Sequence, residues 1–214
     1  MPTPDAVVDL LGALAYGELS AFDHLADDAG LAPTLSGRAR MSAMAAQEFA
    51  HYDQLARRIV ELGGTPEDSM APFVAALETY HSLTKPSTWL ESVVKAYVGY
   101  GMAADFYREV AAFVDDDTGR LIRQVLTDEG RAEFAVQEVS AGVAEQPAGA
   151  GRLALWGRRL VGEAISQTQH VLADRDSLMH LLVEGTGDLS GVAALITRIT
   201  DRHAERMAAL GLGA

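Results

Sequence analysis

The sequence predicts an all-α fold: two helical hairpins joined by a long crossover, then two more helices. Three observations carry this reading. Apolar residues recur at steps of three and four through segments rich in Ala, Leu, Glu, Arg and Met, all favourable in helices. No segment shows convincing period-two alternation. The 7 prolines lie mostly between the periodic segments.

The first helix is expected from about Asp5 to Ala29, with Pro4 before it and Gly30 after it, the usual order of start and stop signals. A second runs from about Ser36 to Leu62 and stops at Gly63-Gly64. The crossover covers residues 63–87, within which Phe73, Leu77, Tyr80 and Leu83 predict a short amphipathic helix. Thr88-Trp89-Leu90-Glu91 has the form of a capping box and opens a third helix reaching about Val114. Asp115 to Gly119 reads as a turn, and a fourth helix spans about Arg120 to Ala144. After the linker Pro147 to Gly151, a fifth helix covers Arg152 to Val183 and a sixth Leu189 to Leu210. The expected organisation is a single domain over 1–214, with a core bundle at 5–144 and C-terminal helices at 152–210.

Composition narrows the partners. Hydrophobic residues make up 49% of the 214-residue chain and charged residues 22%, which suits an ordinary globular protein. A formal charge of −13 disfavours nucleic acid and anionic membranes, since phosphate binding needs concentrated positive charge. The absence of cysteine excludes disulfides, thiolate metal sites and a Cys nucleophile, but not oxygen and nitrogen ligands. No apolar run approaches a membrane span of about 20 residues, and the first residues lack signal-peptide character. The expected location is cytoplasmic.

Acidic residues interrupt the apolar stripes. On the first helix, Glu18 sits in the stripe Val8, Leu11, Ala15, Phe22 and Leu25. On the second, Glu48 and His51 share a stripe with Met41, Met44 and Leu55, as Glu-x-x-His. Residues 18 and 48 are equidistant from Pro33, in the first turn, so Glu18 should face Glu48 and His51. Residues 105 and 129 are equidistant from Asp117, so Asp105 should face Glu129 in the same way. Asp128 competes with Glu129 for the inward direction. Carboxylates gathered in an apolar core repel one another unless protonated or bound to a cation. Oxygen and imidazole ligands suit iron, manganese or zinc; hydrogen-bonded carboxylates with Tyr16 or Tyr52 are the metal-free alternative. His24, His81, His170, His180 and His203 are assigned to surface or local hydrogen bonding, and Arg198, Arg202 and Arg206 to a solvated, salt-bridged face.

Glu18, Glu48-x-x-His51, the long crossover and the second acidic helix pair resemble the ferritin-like di-iron carboxylate superfamily. Leu14-Ala15-Tyr16-Gly17-Glu18 and Ala46-Gln47-Glu48-Phe49-Ala50-His51-Tyr52 resemble an actinobacterial ferritin-like group related to the MiaE-type tRNA hydroxylases. Trp89 to Val114 and Trp156 to Glu163 resemble the same group. The resemblance implies one Glu plus one Glu-x-x-His in each half. The first half matches; the second has Asp105 in place of the usual Glu and Ala132 at the His position. The expectation is a ferritin-like bundle with a partly degenerate metal site at Glu18, Glu48, His51, Asp105 and Glu129. Its chemistry would be iron-dependent hydroxylation or oxidation of a small molecule. The alternative is a non-catalytic structural or interaction module that has lost the di-iron centre. A homodimer is expected in either case.

Overall fold

A computed structural model describes residues 3–126 and 130–213, and the fold among them is all-helical. The elements are α1 (Pro4–Asp28), α2 (Leu35–Glu61), α3 (Pro66–Met70), α4 (Val74–Leu83), α5 (Trp89–Val110), α6 (Asp116–Gln124), α7 (Arg131–Glu145), α8 (Ala150–Asp174), α9 (Asp176–Thr186) and α10 (Leu189–Ala209). The α1–α2 hairpin forms as its sequence predicts. Thr3 and Thr34 cap the two helices by accepting from Ala6 N and Gly37 N. Thr88 likewise accepts from Glu91 N to open α5. Glu91 turns back to the Ser87 amide and hydroxyl, at 2.8 and 2.6 Å, one residue earlier than a standard capping box.

Two of the expected helices are divided. The fourth becomes α6 and α7, because Gly130 adopts φ +86° before α7, a backbone state that glycine enters without strain. Arg40 of α2 donates to the Gly130 carbonyl at 3.2 Å and so fixes that break from outside. The fifth becomes α8 and α9, parted at Arg175, which pairs at 3.0 Å with Asp9 of α1. The second hairpin also turns early: α5 ends at Val110 and Asp115 caps α6 through Thr118 N. Equidistance from Asp117 therefore does not describe its register.

Buried apolar side chains form two clusters. One gathers Leu11, Leu14, Leu55, Ile59, Val110 and Ile122, with α9 residues such as Leu181. The other gathers Leu25, Met41, Met44, Val94, Val98 and Val139, with Leu160 of α8 and Met207 of α10. Along α1 the first cluster ends at Ala15 and the second resumes at Leu25. Glu18 falls between them, and so does Glu48 on α2, between Ala45 and Leu55. The helical period thus sets a polar layer across the bundle. Among the described residues no helix is long and apolar enough to cross a membrane.

Candidate metal centre

Glu18 and Glu48 are 6% and 3% exposed, because each occupies a stripe position that the helical period turns inward. His51, one turn beyond Glu48, places Nδ1 3.3 Å from Glu18 Oε2 and 3.3 Å from Glu48 Oε2. One ligand atom from each of the three residues lies within 4.8 Å of the others. The predicted meeting across the first hairpin is therefore present in the fold.

The rest of the layer comes from residues that sequence reasoning missed. Arg131, at the start of α7 and 4% exposed, donates to Glu48 Oε1 and lies 4.1 Å from the Tyr100 ring. Tyr107 of α5 is buried and hydrogen-bonds to Glu18 through its hydroxyl. The signal for Arg131 was its place beside Ala132: where the expected second imidazole is absent, the preceding residue is a fixed cation. Tyr107 carried no comparable signal. Tyr16 instead donates to Glu78 at 2.7 Å, and Tyr52 packs as a core aromatic 5.6 Å from Phe49.

These neighbours separate the two carboxyl groups. Burial, with the adjacent Glu48, drives the Glu18 carboxyl well above its usual range. Burial also opposes ionisation of Glu48, but the adjacent Glu18 and His51 and the Arg131 charge outweigh it, bringing Glu48 to about 2. Burial lowers His51, and its hydrogen bond to Glu18 with the nearby Glu48 carboxylate more than reverses this, raising it to about 9. Glu48 Oε2 is buried without a well-formed hydrogen bond. A buried oxygen in that state, opposite a second carboxyl group and an imidazole, fits a divalent cation.

Asp105 does not join this group. It is 1% exposed, as a stripe residue should be, but its carboxylate is taken by arginines. Arg108 Nη1 lies 2.8 Å from Oδ1, Arg202 Nη1 lies 3.6 Å from it, and Arg206 pairs with Oδ2. Arg206 also donates to the Gly101 carbonyl at 2.8 Å, and a Cβ at Gly101 would sit 2.2 Å from the Arg206 Nε. The stripe Arg198, Arg202 and Arg206 is salt-bridged as expected, but its partners lie on α5, which it clamps; Arg198, itself exposed, pairs with Glu109 at 2.7 Å, while Arg206 is largely buried. Glu129 and its competitor Asp128 lie outside the described residues. Three histidines also depart from expectation: His203 is buried, and His24 and His81 stack with ring centroids 3.8 Å apart. His170 and His180 are exposed, as expected.

The model of the ferritin-like domain of actinomycetes matches residues 3–185. The chain belongs to this ferritin-like family. No curated protein matches it. In this family member the first hairpin brings together a Glu-Glu-His group able to hold a metal ion, and the donor set is compatible with iron.

Proposed function

We propose that this ferritin-like protein binds a single iron ion through Glu18, Glu48 and His51 and oxidises or hydroxylates a small organic molecule. The reaction type follows the likeness of its motifs to the MiaE-type hydroxylases. One observation carries the reading: three ligand atoms on one hairpin lie within 4.8 Å of one another, with Glu48 Oε2 left without a hydrogen bond. Bound there, iron would supply redox chemistry toward dioxygen. The chain's own part is charge and access. Glu18 and Glu48 would neutralise the cation, and His51 would offer a ring nitrogen after giving up the proton it holds in the metal-free protein. Arg131 occupies Glu48 Oε1 and brings a fixed positive charge to the layer, which favours one ion over two. Tyr107 orients Glu18 by its hydroxyl hydrogen bond. Apolar clusters flank the layer on either side.

The same Arg131 favours a second reading, a non-catalytic bundle, because it balances Glu48 without any ion. Elemental analysis of protein produced with iron decides between them. About one iron per chain, lost in Glu18→Ala and in the Glu48→Ala/His51→Ala double variant, supports the centre. Metal-free wild type, with the Glu48→Ala/His51→Ala variant destabilised because Arg131 loses its buried partner, supports the non-catalytic bundle.

A further inference from the structure

A cavity of about 290 Å³ lies among α1, α4, α5, α8, α9 and α10, walled by apolar side chains such as Leu14, Leu77, Phe106, Ile165 and Ile199. A second, of about 180 Å³, is bounded by α1, α2, α4 and α5. Gly17, Leu77, Tyr80, Gly99, Ala103 and Tyr107 line both, so the chambers adjoin. Together they reach the size of small-molecule sites, roughly 300–1,000 Å³. Glu18 and Glu48 line the smaller chamber, and so do Lys95, His24, His81 and Asp28.

Lys95 is the feature without a structural use. It is 6% exposed, yet among the described residues no carboxylate is within ion-pair distance of its ammonium. Its contacts are the Tyr80 ring, 5.7 Å away, and the field of Asp28. A buried ammonium costs several kcal/mol unless it is paired. The stacked imidazoles beside it are also underused: His81 Nδ1 is buried with no hydrogen-bond partner, and Nε2 only approaches Ser20 Oγ at 3.4 Å. Burial and the Lys95 charge hold both imidazoles neutral, so each retains one N–H to donate. Lys95 itself falls to about 8 through burial and remains mostly protonated at neutral pH.

We propose that the adjoining chambers form one binding site for a monocarboxylic acid with an apolar body. Lys95 receives the carboxylate, His24 and His81 lie beside it, and the apolar body fills the larger cavity. Glu48 is paired with Arg131 and Glu18 lies 3.3 Å from His51 Nδ1, so among the described residues Lys95 is the chamber's cation without an ion pair; Asp28, whose carboxyl burial pushes up to about 6, shares the same wall. The shared wall at Gly17 and Tyr107 brings the ligand past Glu18, next in sequence to Gly17. Naming this acid as the substrate rests on the proposed metal centre; its binding does not.

Calorimetric titration of the full chain, as purified and after chelation, with decanoate, decanol and acetate tests the site. Decanoate is expected to bind at least tenfold more tightly than decanol, and acetate not measurably. Lys95→Met should abolish the preference for decanoate while retaining decanol, with Lys95→Gln as a second variant if the first does not unfold cooperatively. Ala103→Trp, on the shared wall, should block both ligands. Equal affinity for decanoate and decanol, no binding of either, or an undiminished preference in both Lys95 variants overturns the proposal. Decanoate binding that persists in Glu18→Ala protein devoid of iron leaves this site standing even if the metal centre fails.

Discussion

Two buried charged regions of the same bundle are built on opposite terms. Around Asp105 the protein supplies three guanidinium groups, two of them from α10. Around Glu18 and Lys95 it supplies far less: Glu18 has an imidazole and a phenol, and Lys95 has an aromatic face and a distant carboxylate. Burying either kind of charge is costly. Where partners fully answer the charge, the group holds helices together. Where they do not, the cost persists in the folded state unless a ligand removes it. The first region locks the C-terminal helix to α5; the second faces a chamber.

This contrast is open to measurement, and the largest effect is expected at the clamp. Asp105→Ala leaves Arg206 largely buried beside α5 without its carboxylate, and should lower unfolding free energy by about 3–5 kcal/mol in denaturant titration. Its iron content should be that of wild type; a loss of metal would return Asp105 to the centre. Arg131→Met removes the buried cation beside Glu48 and should destabilise the metal-free protein by about 3 kcal/mol. It should also enlarge the rise in melting temperature on adding Zn2+, since a competing positive charge is gone. An unchanged Zn2+ effect would sever Arg131 from the metal layer.

Lys95→Met should have the opposite sign. The ammonium faces Asp28 and His24 from α1 and His81 from α4, and its folded pKa, about 8, is below the 10.5 of a free lysine. A lowered lysine pKa means the folded state disfavours the proton. The penalty is complete below about pH 8 and disappears as pH rises past 10.5. Removing the charge should therefore stabilise the protein at pH 7 by up to about 3 kcal/mol, with the difference closing in alkaline solution. A destabilised variant would make Lys95 a structural residue like Asp105. The smallest effect is expected for Tyr107→Phe: about 1 kcal/mol for one hydrogen bond to Glu18, with iron retained. Loss of iron in that variant would place the phenol among the essential supports of the centre.

How much of this was legible in the sequence differed by hairpin. In the first, the pattern of stripe residues placed Glu18 opposite Glu48 and His51, and the fold brings them together. The information is local: two long helices and a short turn leave one register that buries both apolar stripes. In the second, the same arithmetic assumed a turn centred on Asp117 and an unbroken fourth helix after it. The chain turns earlier and breaks before Gly130, held there by Arg40 from another helix. No period within one segment carries a contact made by a distant one. The same reason hid the arginine clamp, since Arg202 and Arg206 look like part of a solvated helix until α10 is laid against α5.

The sequence by itself determined the all-helical class, the inward direction of Glu18, Glu48, His51 and Asp105, and the sharing of one hairpin by the Glu-Glu-His group, because helical periodicity fixes which face a residue occupies. Only the tertiary structure decided which buried charges received a partner. It gave Asp105 to the arginines of α10, placed Arg131 against Glu48, and left Lys95 facing a cavity. Periodicity turns a charged group into the core, but what meets it there depends on which remote helix packs across it, and no spacing along the chain encodes that choice.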